Sequence, residues 1–255
     1  MKILLRIFLL SCIIMAPVYH ILGMEVEGKE KKVLVITGGH DFDEDNFFGM
    51  IDKFASISYT HVQHPNAHSM LKPDRIKEYD VVLLYDMPPE ISEEAQKDFI
   101  NMLKKGKGLI VLHHAFCSYD FWPEYTKIIG GRYHHYPWKK DNIEQPLSVY
   151  KHNVTFDIEV EDKLHPITRG VANFTITDET YGFTEILPTV YPLLSTKEPS
   201  SAPLVCWINI YKKSRVVTLT LGHDNLAWEN KSFQKVLLQA IHWVARCSSV
   251  AHLIQ

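Results

Sequence analysis

The sequence lacks most of the short signatures that announce a chemistry. Only four cysteines occur in 255 residues, Cys12, Cys117, Cys206 and Cys247, with no Cys-x-x-Cys pair. Neither a zinc ribbon nor a disulfide framework is therefore encoded. The phosphate-cradling Gly-x-Gly-x-x-Gly pattern is missing, so no nucleotide is expected, and so is the His-Glu-x-x-His helix of zinc proteases. Gly and Pro are sparse, 12 and 13 residues, which excludes collagen-like and low-complexity chains. There is no excess of basic charge: 27 Lys and Arg face 30 Asp and Glu, a net −3. That leaves no field to hold nucleic acid or an anionic membrane surface.

What is present reads as one large globular domain. The chain is 46% hydrophobic and 22% charged, and 11% aromatic, which argues against disorder. Histidine is the unusual component, with 14 residues, among them the adjacent pairs His113-His114 and His134-His135. The first segment carries Lys2 and Arg6, an apolar run from Ile7 to Ala16 and a break at Pro17. The run is short for a membrane span and reads as a signal peptide over residues 1–24. Leu9-Leu10-Ser11-Cys12 also resembles a lipobox, so the expected fate is export in a bacterial host, either periplasmic or anchored as a lipoprotein through Cys12. The sequons at Asn153, Asn173 and Asn230 matter only in a glycosylating host.

Val33–Ile36, Val81–Tyr85 and Leu109–Leu112 are apolar on every residue and end in small or polar residues, the pattern of buried parallel strands. Ile57–Val62 reads as a further strand. Asp43 or Asp45 caps a helix reaching about Ala55, and Ser92 starts another that stops at Gly106. Phe156–Val160, Leu204–Ile210 and Val216–Leu221 read as an antiparallel extension. Phe233, Val236, Leu237, Ala240, Ile241 and Val244 form one stripe of a final helix. Alternating strands and helices predict an α/β fold with a mainly parallel sheet.

In such sheets ligands bind beyond the carboxyl ends of the strands. Those ends carry Gly38-Gly39-His40, Asp86, His113-His114 and Gly222-His223-Asp224, so a crevice lined by histidine is expected. Strand alternation predicts that only one of His113 and His114 faces it. His134-His135 is either a rim loop or a solvated one. Cys117 reads as a small buried residue rather than a nucleophile, and His242 as structural. Histidines with nearby carboxylates suit zinc, or manganese with more oxygen ligands. The same groups without metal suit acid–base work.

Gly106–Ala115 (GKGLIVLHHA), Trp122–Tyr125 (WPEY), Ile129–Tyr133 (IGGRY), Leu164–Gly170 (LHPITRG), Asp178–Tyr181 (DETY) and Leu221–Asp224 (LGHD) together resemble the ThuA-like (trehalose-utilisation) family over residues 32–246. The resemblance implies a three-layer flavodoxin-like fold of the class I glutamine amidotransferase type. Those enzymes place a cysteine on an elbow after a central strand; here that strand end carries His113-His114 and no Gly-x-Cys-x-Gly elbow exists, so no glutaminase activity is expected. The family is associated with sugar catabolism through 3-keto-glycosides made by partner sugar dehydrogenases. Its motif positions here give His113, His114, Arg132, Asp178, Glu179 and His223 as candidate catalytic residues. His40, Tyr181 and Asp224 follow as substrate-binding, with Trp122 and Tyr133 added as aromatics. His113, His114 and His223 are the candidate metal ligands. Either His113 or His114 acts as base or metal ligand, His223 and Arg132 stabilise an enolate, and Asp178 or Glu179 orients hydroxyls or supplies a proton. The alternative is a sugar-binding or scaffolding domain without turnover, in which Trp122, Tyr133, Tyr136 and Trp138 stack on sugar faces.

Overall fold

The computed structural model describes residues 30–245. The expected leader, Cys12 and Cys247 lie outside the described residues. The chain runs β1 (Lys31–Gly38), α1 (Glu44–Ile51), β2 (Ile57–Gln63), α2 (Pro73–Ile76), β3 (Val81–Asp86), α3 (Glu93–Lys104), β4 (Gly108–Leu112) and α4 (Pro123–Ile129). Short strands β5 (Gly131–Arg132), β6 (Trp138–Lys140) and β7 (Ile143–Gln145) precede the long pair β8 (Val149–Val160) and β9 (Phe174–Gly182). Then come β10 (Glu185–Ile186), β11 (Tyr191–Ser195), β12 (Leu204–Tyr211), β13 (Ser214–Leu219), α5 (Asn225–Trp228) and α6 (Lys231–Val244).

Nine strands form one sheet in the order β2-β1-β3-β4-β13-β12-β11-β8-β9. The first five are parallel and the rest antiparallel. The parallel half forms because its strands are apolar on both faces: every residue of β3 and β4 is buried, which demands a cover on each side. α1 and α6 cover one face and α3 and α4 the other, giving two separate cores. Asp43 caps α1 by accepting from the Asn46 N–H, Ser92 caps α3 through Ala95, and Asn230 caps α6 through Ser232 and Phe233. The stripe expected in the last helix is buried along its whole length.

The antiparallel half departs from expectation. β8 begins at Val149 rather than Phe156, and β9 was not anticipated as a strand at all. The first turn of β8 is solvent-exposed and shifts register between Lys151 and Val154, so it shows no clean alternation. β9 carries Asp178 and Glu179 inside a strand, where acidic residues are disfavoured. α1 also stops at Ile51, short of Ala55, because the chain turns there to enter β2.

The sheet curls. β9 lies four places from β13 in strand order, yet Asp178 on β9 accepts hydrogen bonds from the backbone just beyond β13. That closure, with the ends of β1, β3 and β4, builds one polar edge. Gly39 is part of it: at φ +86° it lies against the chain leaving β3, and a Cβ there would sit 2.5 Å from the Met87 carbonyl oxygen. Gly39→Ala is therefore expected to destabilise the protein by about 2–4 kcal/mol, read as a lower urea midpoint at unchanged m-value. An unchanged midpoint would show that this approach is not tight.

Candidate functional site

His113 opens a 3₁₀ turn (His113–Cys117) directly after β4 and takes a left-handed φ of +49°. That single conformation ends the strand's alternation. The His113 and His114 rings lie 5.5 Å apart and nearly perpendicular; as expected, only one of them, His114, lines the crevice, while His113 is packed behind it and bonded to backbone. His113 is fully buried, and its Nδ1 meets the Thr220 carbonyl at 2.9 Å. A carbonyl only accepts, so Nδ1 carries the proton by network assignment and Nε2 presents a lone pair when the ring is neutral. Around Nε2 lie Glu179 Oε2 at 3.0 Å, His223 Nδ1 at 3.1 Å and Tyr181 Oη at 2.9 Å. Glu179 Oε2 and His223 Nδ1 are themselves 3.2 Å apart.

Three lone-pair atoms so close need a proton or a cation among them. Burial alone would raise the Glu179 carboxyl, but hydrogen bonds and charge from His113 and His223 outweigh it and hold it well below the usual carboxylate range. Its hydrogen bond to Glu179 raises His223 in turn, against burial. Among the described residues, His113, Glu179 and His223 are the group that can offer converging ligand atoms to a metal ion. The expected trio thus exchanges His114 for Glu179. Atoms bound to one ion at about 2.1 Å, at tetrahedral or right angles, lie about 3.0–3.4 Å from one another, which matches the spacing here. The Thr220 carbonyl on His113 Nδ1 is the outer partner that fixes a ligating imidazole.

Asp178 serves these groups from behind. It is buried and accepts from three backbone N–H groups, Gly222 at 2.6 Å, His223 at 3.0 Å and Glu179 at 2.8 Å. Tyr85 and Trp228 hold the other side of the same turn by donating to the Gly222 carbonyl at 2.9 and 2.8 Å. Asp178 is therefore a positioning residue for both Glu179 and His223.

Through Glu179 the cluster borders a cavity of about 240 Å³, lined also by His40, His114, Tyr133, His152 and Tyr181, among others. His114 is 2% exposed, and neither ring nitrogen has a hydrogen-bond partner. Burial first, then the His113 and His40 rings, push it well below the ordinary imidazole value; the nearby Tyr85 backbone opposes this only in part. It is neutral, and it stacks on His40 with centroids 4.7 Å apart. His152 was missed by sequence reasoning. The β8 register shift, with left-handed Asn153, turns it toward the site. There it lies 3.5 Å from Glu179 Oε1, with its ring 4.8 Å from that of His223. A lone histidine in an exposed strand gives no signal of this.

Other expected residues fall elsewhere. Trp122 is packed into the core against Tyr125 and Phe99 and does not line this cavity. Asp224 caps α5 by accepting from the Leu226 N–H. Arg132 pairs with Glu185 in the β5–β10 ladder, and its charge bears on His134. His134 stacks on Trp138 at 3.8 Å and bonds Glu185, whereas His135 lines the cavity and bonds Asp120 at 2.7 Å. Cys117 lines the cavity too, but burial pushes its thiol well up, which disfavours the thiolate a nucleophile needs. A larger groove of about 810 Å³ lies beside Ile208–Ile210, against the start of β13. Its Asp162, His165 and Asn209 are engaged by neighbouring backbone, so reactive groups do not converge there.

Next to the site, His64 bonds the fully buried Asp86 at 2.8 Å, and Tyr119 Oη lies 3.4 Å from the same carboxylate and 3.1 Å from His68 Nε2. Burial, then the neighbouring His64, lowers His68 to about 4. Its unfolded value is 6.5, so between pH 6.5 and 4 the unfolded chain binds the extra proton and stability falls as pH falls. His68→Gln is expected to lose less stability than the wild type between pH 7 and 4, measured as urea midpoints. Parallel curves would contradict this.

The sequence profile of the family described as ThuA, trehalose utilisation, matches residues 32–244. A ThuA-like protein from Parabacteroides merdae superposes with a TM-score of 0.71 at 20% identity, over 87% of this chain and 92% of that one. A second ThuA-like protein, from Bacteroides uniformis, gives 0.64 at 19% identity over 86% and 92%. A glutamine amidotransferase from Thermotoga maritima gives 0.50 at 10% identity over 86% and 100%. The fold is thus the expected α/β type, shared with glutamine amidotransferase-like proteins. No curated protein matches the chain.

Proposed function

Because the chain belongs to the ThuA, trehalose-utilisation family, we propose that it is an exported enzyme of sugar breakdown acting on keto-glycosides at the His113–Glu179–His223 cluster. The observation that carries this reading is the 3.0–3.2 Å triangle of His113 Nε2, Glu179 Oε2 and His223 Nδ1 beside a cavity with an unpartnered neutral histidine, His114. The donor set, two imidazoles and a carboxylate, suits zinc or manganese. A divalent ion held there would supply electrophilic polarisation of a substrate carbonyl.

The side chains supply the rest. A ketone one carbon away from the glycosidic centre acidifies the intervening C–H. His114 lines the cavity, and its acceptor nitrogen has no hydrogen-bond partner, so it is placed to take that proton. The electron pair then expels the glycosidic oxygen, which leaves as an alcohol after gaining a proton, and water adds to the resulting double bond. His40, stacked on His114, is placed to relay the proton. Tyr181 Oη, 2.9 Å from His113 Nε2, orients the cluster. Asp178 fixes Glu179 and His223 without facing substrate. The keto group implies that a sugar dehydrogenase acts first.

Metal content is the direct test, on protein purified without a chelating tag. Near-stoichiometric zinc or manganese is expected, with at least about tenfold weaker retention in Glu179→Gln, together with loss of keto-glycoside cleavage. Absence of metal after reloading, with keto-glycosides untouched, would remove the proposal. Sugar binding without turnover would leave a binding domain in its place.

A further inference from the structure

The cavity and its surroundings differ in character. At about 240 Å³ the cavity is smaller than the ~300–1,000 Å³ of ordinary small-molecule pockets, so it suits a single sugar ring. Anything attached to that ring must lie outside. Large aromatic side chains are exposed nearby: Tyr150, which lines the cavity, is 61% exposed, Tyr136, next in the chain to the cavity's His135, 55%, and Phe121, which meets Tyr136, 68%.

Their placement is fixed by the same contacts that build the cavity wall. Asp120 and His135 are bonded at 2.7 Å, and His135 lines the cavity. The next residue on each strand of chain, Phe121 and Tyr136, meets ring to ring at 5.4 Å, tilted by 35°. Tyr150 lines the cavity directly and packs 5.2 Å from His152. Contiguous exposed aromatics around a polar pocket mark a contact surface, and rings present a flat, partly apolar face with a polar tip.

We propose that Phe121, Tyr136 and Tyr150 form a platform for the aglycone, so that the protein selects glycosides carrying a second ring, either another pyranose or an aryl group, over methyl glycosides and free monosaccharides. The proposal rests on the sugar reading of the central cavity. It makes these three residues determinants of specificity rather than of chemistry: they touch the leaving half of the substrate while His113, Glu179 and His223 act on the other half.

Calorimetric titration with methyl and 4-nitrophenyl glucosides, each also as its 3-keto derivative, tests it on the full chain. The wild type is expected to bind the nitrophenyl member of a pair at least about tenfold more tightly. In the Phe121→Ala/Tyr136→Ala double variant that preference should shrink severalfold while affinity for the methyl glycoside holds; in Tyr150→Ala, at the cavity itself, the preference should shrink as well. In Glu179→Gln both glycosides should weaken together with the preference retained. Equal affinity for the two aglycones in the wild type, or a preference untouched by all rim variants, overturns the platform and leaves the sugar site standing. If no glycoside binds the wild type, the sugar site falls and the platform with it.

Discussion

The buried Asp178 carboxylate, surrounded by the N–H groups of Glu179, Gly222 and His223, ties the antiparallel half of the sheet to the end of its parallel half. A buried carboxylate is tolerated only when donors satisfy it, and these three come from two distant stretches of chain. The bond therefore exists only if the sheet curls. Once it has curled, Glu179 is delivered from β9 and His223 from the turn after β13, and both arrive at His113. Burial pushes the Asp178 carboxyl up, and these donors and the nearby His113 oppose that shift.

The second constraint is conformational. His113 is a non-glycine residue at φ +49°, a conformation that costs of order 1 kcal/mol or more and persists where surrounding structure over-determines it. Here the Thr220 carbonyl on Nδ1 and the Tyr181, Glu179 and His223 atoms on Nε2 do so. Strain at this elbow gathers two adjacent imidazoles on one edge, one wired into a carboxylate cluster and the other left without partners. Neighbouring residues of one type thereby acquire opposite electrostatic settings, which suits a division of labour between holding charge and moving a proton.

The site also shows why concavity alone is a poor guide. The wider groove beside β12 offers more volume, but its polar atoms are already engaged. The smaller cavity at the strand ends combines an orphaned imidazole, a depressed carboxylate and an aromatic rim.

Local pattern was enough for the parallel half of the fold. Val33–Ile36, Val81–Tyr85 and Leu109–Leu112 are apolar on every residue, and only a sheet covered on both faces buries them so; the caps Asp43 and Ser92 and the apolar stripe of α6 act within a few residues of themselves. Chain order also placed His40, His113 and His223 at one edge, because parallel strands end on the same side. β9, the bulge that aims His152 and the exchange of His114 for Glu179 as partner of His113 and His223 were decided by tertiary structure. Each depends on hydrogen bonds between segments tens of residues apart, such as Asp178 with Gly222, and on a left-handed turn at His113 that no periodicity encodes. Trp122 shows the converse: an aromatic beside a motif was placed at the substrate by residue type, and packing against Tyr125 and Phe99 took it into the core, since a large apolar ring gains more from burial than from waiting at a polar mouth.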